Sequence, residues 1–404
     1  MQVSEVVIKV QNTTPLLTGW YEPDLVDPVG LRPTEIKGLW RWWARAFVGG
    51  VLYDLGHLKG QPTPNIYLRP SKDEVSIISR IVGQNLGLGY ASGRFSSSAS
   101  RFKIYVEKDV SKQLVKGDMY SRYMRIKLLM RKTRAEERKG ERTKEEIKVI
   151  PPGASFKIHI KAPPNFPLAD TALKILIIGL QIMGVGKGSR RGLGSLDLLS
   201  IEGFNVENKL PKVIEETYSE VKEIVEKELG ELREQKTLYR VPPLPVVSRG
   251  KVEDVSVTRI YHISKLTSYE KIHNFFVRST RTSVLGQDTL MLKQEAWVLG
   301  LPRGVVRKGK EVTRRASPFT MSFHKEQNFF GQGAYVAVFL SGDWPTKIAW
   351  YQGPQGQQTE GQKTKKENDT SIVEALKVAV DEFITYTKRV TGNEPNLIWP
   401  TQSR

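Results

Sequence analysis

Residues 184–196 read GVGKGSRRGLGSL, holding five glycines, one lysine and two arginines between an apolar run and an alternating one. The run before it, Pro167–Met183, is apolar almost all round, the mark of a buried helix. The run after it, Gly194–Ile201 (GSLDLLSI), reads as a strand. A cation-rich glycine turn from helix into strand excludes two familiar phosphate loops, both of which lead from strand into helix. A P-loop also needs Ser or Thr directly after Gly-Lys, and here Lys187 is followed by Gly188 and then Ser189. A G-x-G-x-x-G fingerprint begun at Gly184 or Gly186 meets Ser189 or Arg191 where its last glycine belongs. Glycines admit positive φ and let a phosphate backbone approach main-chain N–H groups closely. Lys187, Arg190 and Arg191 supply counter-charge, and arginine forks onto phosphate oxygens.

Working outward, Arg101–Glu107 (RFKIYVE) and Ser155–Lys161 (SFKIHIK) alternate as half-buried strands, and Val3–Val10 is the first strand. Helix signals start after Pro33 and run to about Tyr53. The order is strand, helix, strand, strand, helix, strand, the βαββαβ pattern of a ferredoxin-like (RRM-like) unit. A helical insert at about 109–150 interrupts it, and its residues 121–134 (SRYMRIKLLMRKTR) hold six basic side chains and no acid. Residues 209–236 form a charged helix with eight glutamates, a surface or inter-domain element. VPPLPVV (241–247) is the joint, dividing the chain into 1–240 and 241–404. Beyond it, Val255–Ile263 reads as a strand, Thr267–Thr280 as a helix, and Arg315–His324 and Gly333–Leu340 as alternating strands. A Gly/Gln/Lys-rich loop (352–369) and a long helix (Ser371–Val390) follow. The expected class is α+β, two ferredoxin-like domains packed together, with sequence similarity between the halves too weak to show an internal repeat.

The first helix, TEIKGLWRWWARAFVGG, places Ile36, Leu39, Trp40, Trp43 and Phe47 on one face at ~100° per residue. Lys37, Arg41 and Arg45 run down the opposite side, with Gly38 in the stripe and Trp42 on its flank. Trp42 serves there as an outward stacking surface or as a cap against a neighbouring domain. A basic stripe with an aromatic flank is a common way of holding a single strand.

Across the chain, 62 Lys plus Arg oppose 43 Asp plus Glu, a net charge of +19 that points to a polyanionic partner. The absence of cysteine excludes a disulfide scaffold, thiolate-held zinc or iron–sulfur clusters, and thiol catalysis. Five histidines without metal-ligand spacing give no metal site, and no cofactor is expected. Charges at Glu5 and Lys9 leave no secretory stretch, and the longest oily run, Leu173–Met183, is short for a span of ~20 residues, so a cytoplasmic location is expected. Cysteine-free composition rich in Lys, Arg and Glu fits a thermophile.

GVGKGSRRGLGSL resembles the glycine-rich loop of the RAMP proteins of CRISPR systems. TPLLTGWYEP followed by LRPTEIKGLWRWWARAF is similar to the opening of the RAMP subunit at the target-RNA end of type III-B (Cmr) effector complexes, with its R-x-[TS]-[EDS]-[IL]-[KR]-G-x-x-R-x-[WF] helix. LGLPRG (299–304) and RRASPF (314–319) are like its C-terminal half. The resemblance implies two ferredoxin-like domains and an archaeal thermophile's antiviral defence protein. It further implies non-catalytic capture of single-stranded target RNA near the 3′ end of the CRISPR RNA, beside other Cmr subunits. Carried over by position, the RNA face takes in Lys37, Gly38 and Arg41, then Lys187, Ser189, Arg190 and Arg191, with Arg303, Arg314 and Arg315 from the second half. Trp42 and Arg45 join it from the helix stripe.

A metal-independent endoribonuclease is the alternative, since some RAMP proteins cut RNA. It needs a base and an acid beside the 2′-OH and the leaving oxygen. His57, after the first helix, and Asp24 and Asp27, on an early loop, are its candidates; His159 reads as a sheet residue. Processing nucleases of the superfamily carry their glycine loop near the C-terminus, whereas here it lies mid-chain. A general single-strand RNA binder outside CRISPR biology shares the charge but not the LGLPRG and RRASPF segments.

Overall fold

The computed structural model describes residues 5–19, 27, 30–92, 96–108, 113–126, 148–230, 240–264, 266, 268–277, 298–299, 316–326, 328–345 and 370–401. The chain is a mixed α+β protein. Its first half comprises β1 (Glu5–Asn12), α1 (Pro33–Asp54), α2 (Lys72–Arg80), β2 (Lys103–Lys108), β3 (Ser155–Lys161), α3 (Ala169–Ile182), β4 (Leu196–Glu202) and α4 (Leu210–Leu229). The second comprises β5 (Thr258–Ile263), α5 (Tyr269–Phe276), β6 (Phe319–His324), β7 (Gly333–Phe339), α6 (Thr370–Thr391) and β8 (Asn396–Trp399).

The first sheet has the order β2-β3-β1-β4 and the second β6-β7-β5-β8, every neighbour antiparallel. Strand for strand, the two orders are the same, with a helix after the first and third strand of each. Register follows the hydrophobic alternation. In β1, Val6, Ile8 and Val10 are buried against α1 and α3, while Glu5, Val7 and Lys9 stay on the open face.

α1 begins where Pro33 presets φ at the first helical position and the Glu35 carboxylate accepts the Arg32 N–H at 3.3 Å. Ile36, Leu39, Trp40, Trp43 and Phe47 are all buried, as their spacing requires. From Ala46 to Tyr53 the helix is buried on every side, because α4 and the 241–247 joint close over it. The joint is a packed strap. Val247 N–H donates to Ala46 O at 2.8 Å, and a Cβ on Gly50 would lie 1.6 Å from Val247 O. At the helix end the Asp54 carboxylate accepts from Tyr218 and Ser248 hydroxyls and from the Arg249 and Gly250 N–H groups, tying α1, α4 and the strap together. Burial raises its pKa.

The alternation of β6 and β7 implies one wet face, yet every residue of both is buried. Phe319 packs against Phe276 of α5 and Phe383 of α6, Phe323 stacks on Tyr269 of α5, and Met321 is buried between them in sequence. Thr320, Ser322 and His324 point the other way, onto α3 of the first half, where the Ser322 hydroxyl and His324 Nε2 (2.8 Å) meet the Gln181 carbonyl. Phe339 lies against Trp42 and Trp43 of α1, at 5.5 and 6.0 Å between ring centroids. Helices of the first half therefore fill the place of solvent on the second sheet.

The glycine loop sits at this seam. Gly192 has φ +77°, and a Cβ there would lie 2.1 Å from Phe323 Cε2. Gly192→Ala combines left-handed backbone with an aromatic clash and is expected to destabilise the protein by about 2–4 kcal/mol. Denaturant melts of the two proteins check this, and an unchanged midpoint contradicts the packed seam.

Candidate nucleic-acid interface

The glycine loop is shaped from both sides by backbone contacts. Residues 13–18 cross it, with Lys187 N–H donating to Leu17 O (2.7 Å), Gly194 N–H to Pro15 O (3.0 Å) and Thr13 N–H to Ser195 O (2.9 Å). The Thr14 hydroxyl donates to Gly192 O at 2.7 Å. Gly188 and Gly192, both left-handed, bracket a single tight turn, Ser189–Arg191. Its side chains then leave in different directions. The Arg190 guanidinium stands over the Trp42 ring, 5.1 Å from its centroid. Arg191 turns into the seam, where its Nη2 donates to Leu299 O at 2.6 Å and the guanidinium lies 5.9 Å from the Phe276 ring. Lys187 and Ser189 are half-buried on the turn.

On α1, Gly38 and Arg45 are exposed and Lys37 and Arg41 half-buried. A Cβ on Gly38 would meet nothing within 4 Å, so that stretch of the stripe is open. Arg41 forks onto the Leu88 carbonyl at 2.9 and 2.7 Å, which fixes its head group beside Lys37 and Arg45. Trp42 is half-buried between Trp43 and Phe339 with Arg190 above it. Of its two expected positions, the structure has the cap against the second half. Through Arg190 and Trp42 the helix stripe and the glycine loop form one continuous surface.

The electrostatics of this surface have one sign. Desolvation lowers the pKa of Lys37 and of Arg45, and the neighbouring Arg41 charge lowers both further. Arg191 is pushed down to about 9 by burial, then by Arg125 and Arg190. In all three, the charges acting are other cations. Arg303, Arg314 and Arg315 lie outside the described residues.

Residues 9–197 match the family model of the RAMP superfamily. This part of the chain belongs to the RAMP superfamily. The crystal structure of Cmr1 from Pyrococcus furiosus (apo form) aligns at TM-score 0.48 and 16% identity over 98% of each chain. The cryo-EM structure of the Type III-B Cmr-beta bound to cognate target RNA aligns at TM-score 0.49 and 12% identity, over 94% of this chain and 100% of that one. Among curated proteins none matches.

Of the nuclease candidates, Asp27 is buried and ion-paired with Arg32 in the turn before α1 of this RAMP segment. His57 is half-buried just past α1, and Asp24 lies outside the described residues. His159 stands on the open face of the first sheet, stacked on Tyr105 at 4.1 Å. Among the described residues no group of three or more His, Asp or Glu could hold a metal ion, and no helix is long and apolar enough to cross a membrane.

Two residues at the interface carried no signal in the sequence, His273 and Asn274 on α5. The buried His273 ring donates from Nδ1 to Arg191 O at 2.6 Å and accepts the Arg125 N–H at Nε2, 3.1 Å. Asn274 accepts the Met124 N–H (2.9 Å) and donates to Arg122 O (2.9 Å). Together they hold the start of the basic insert to the glycine loop. Burial, with Arg191 and Arg125 nearby, lowers the His273 pKa to about 3, so the ring is neutral, as its acceptor role demands. In the unfolded chain it titrates near the ordinary 6.5. The unfolded state therefore binds the extra proton, and stability falls as pH drops from that value toward 3. His262, also lowered by burial, acts in the same direction. His273→Gln is expected to flatten the fall in denaturant midpoint between roughly pH 7 and 4.5; an unaltered slope assigns that fall to other groups.

Proposed function

We propose that the chain is a non-catalytic RNA-binding subunit of a type III-B CRISPR (Cmr) effector complex, built from two ferredoxin-like units, residues 1–240 and 241–404. It captures single-stranded target RNA near the 3′ end of the CRISPR RNA, in contact with other Cmr subunits. The observation that carries this reading is the joining of the α1 stripe and the glycine loop into one cationic surface through Arg190 and Trp42. Partly desolvated cations that act on one another, as Arg41 does on Lys37 and Arg45, suit a polyanion. Lys37, Gly38, Arg41, Arg45, Lys187, Ser189 and Arg190 form its outer part; Arg191 holds the loop to the second half, and Arg303, Arg314 and Arg315 extend it. Membership of the RAMP superfamily and the R-x-T-E-I-K-G-x-x-R-x-W helix supply the CRISPR context.

Each phosphate neutralised on a single strand adds ~0.7 to the log–log salt slope. Replacing Lys37 and Arg190 together by glutamine is expected to lower the slope for a labelled oligouridine strand by about 1.4, with the strand left uncut. A double variant with the wild-type affinity and slope overturns the assignment. So does cutting of the strand by the purified protein that His57→Ala abolishes.

A further inference from the structure

We propose that the basic insert belongs to the RNA surface, contributing Arg125 to a three-arginine phosphate site with Arg190 and Arg191 where the two halves meet. This rests on the RNA-binding reading above and adds to it a segment outside every motif of the family resemblance.

The site is built by the fold. The Arg125 stem lies along the glycine loop, its Cγ 3.4 Å from where a Cβ on Gly188 would stand. The backbone of Arg125 is fixed by His273 Nε2, and the other nitrogen of the same ring holds the carbonyl of Arg191. One imidazole from the second half thus sets the spacing between an insert arginine and a loop arginine. Asn274 repeats the anchoring at Met124 and Arg122, so the insert enters the seam with its backbone tied down at three of four successive residues.

Arg125 and Arg190 are the two charges that act on the Arg191 guanidinium, and both repel it. Arg191 has spent Nη2 on Leu299 O, while its enclosed Nη1 has no hydrogen-bond partner among the described residues. An orphaned guanidinium nitrogen beside two like charges is an arrangement that an anion completes. Arginine forks match phosphate oxygens in geometry as well as sign. The surroundings favour a nucleic-acid phosphate over a partner protein's carboxylate. Arg190 is shared with the Trp42 contact, so the cluster continues the cationic stripe of α1 and serves a polymer with repeated charge.

The test uses the full chain and a fluorescent oligouridine strand titrated over a range of salt. Arg125→Gln is expected to weaken binding about tenfold, the loss of one charged hydrogen bond, and to lower the salt slope by about 0.7. Arg125→Lys should retain most of the slope and less of the affinity. Lys222→Gln on α4, which removes a cation paired with Glu226, should bind as wild type. If Arg125→Gln keeps the wild-type affinity and slope while Arg190→Gln weakens both, the insert proposal is wrong and the RNA reading stands. If the wild-type chain shows no salt-dependent binding, both fail together. If Arg125→Gln leaves RNA binding intact but releases a Cmr partner subunit, the cluster serves a protein carboxylate, and the proposal is again wrong.

Discussion

A carboxylate closed off from water, Asp197 at the start of β4, governs how the two halves meet. Its Oδ1 lies 3.0 Å from His324 Nδ1, and its oxygens accept the N–H groups of Lys325 and Glu326. Both side chains are fully enclosed. Removing the His324 ring would leave a buried carboxylate short of a donor, a loss that typically costs ~1–3 kcal/mol and more for a charged group. The pair joins the last strand of the first sheet to the end of an edge strand of the second, which leaves the inner face of that second sheet nowhere to turn but onto α3. Burial of β6 and β7 on both faces follows, and so does the close seating of Phe323 against Gly192.

The glycine loop consequently answers two demands. Its glycines are required by the backbones of Leu17, Leu193 and Val185 and by the Phe323 ring, which approach within a distance that no side chain tolerates. Its cations are what the turn can still project once those contacts are made. Holding Lys37, Arg45 and Arg191 partly out of water and near their own kind opposes folding. In return the positive field is in place before any ligand arrives. With Trp42 packed between Trp43 and Phe339 beneath Arg190, the surface offers charge to a backbone more readily than a ring to a base.

Much of this was legible in the sequence, and the omissions have physical causes. The six elements of the first half lie within a few residues of their expected bounds, since each has a long periodic pattern. β8 (NLIW) was not foreseen because four residues carry too little period. α2 was missed too, although Ser71 and Glu74 make a capping box before it. FTMSFH alternates like a half-wet strand, and its polar face is dry because of partners far off in sequence, the Gln181 carbonyl, 141 residues from Ser322, and the Asp197 carboxylate. The proline-rich joint has the composition of a spacer, but its valines belong to the core. The stripe on α1 was readable from spacing alone. That Arg191 turns inward was not, for its partner Leu299 is distant in sequence, and neither was the tethering by His273.

The strap over α1 and the dry second sheet bear on how the chain is made. By the end of β4 the first sheet is complete, yet Trp42, Trp43 and the outer side of α3 still await β6 and β7, which end at Phe339. At ~5–20 residues per second, roughly 140 residues of synthesis leave that apolar flank bare for about 7–30 s. During that interval the nascent first half is a target for chaperones, and its release into a stable shape is timed by the ribosome's arrival at β7.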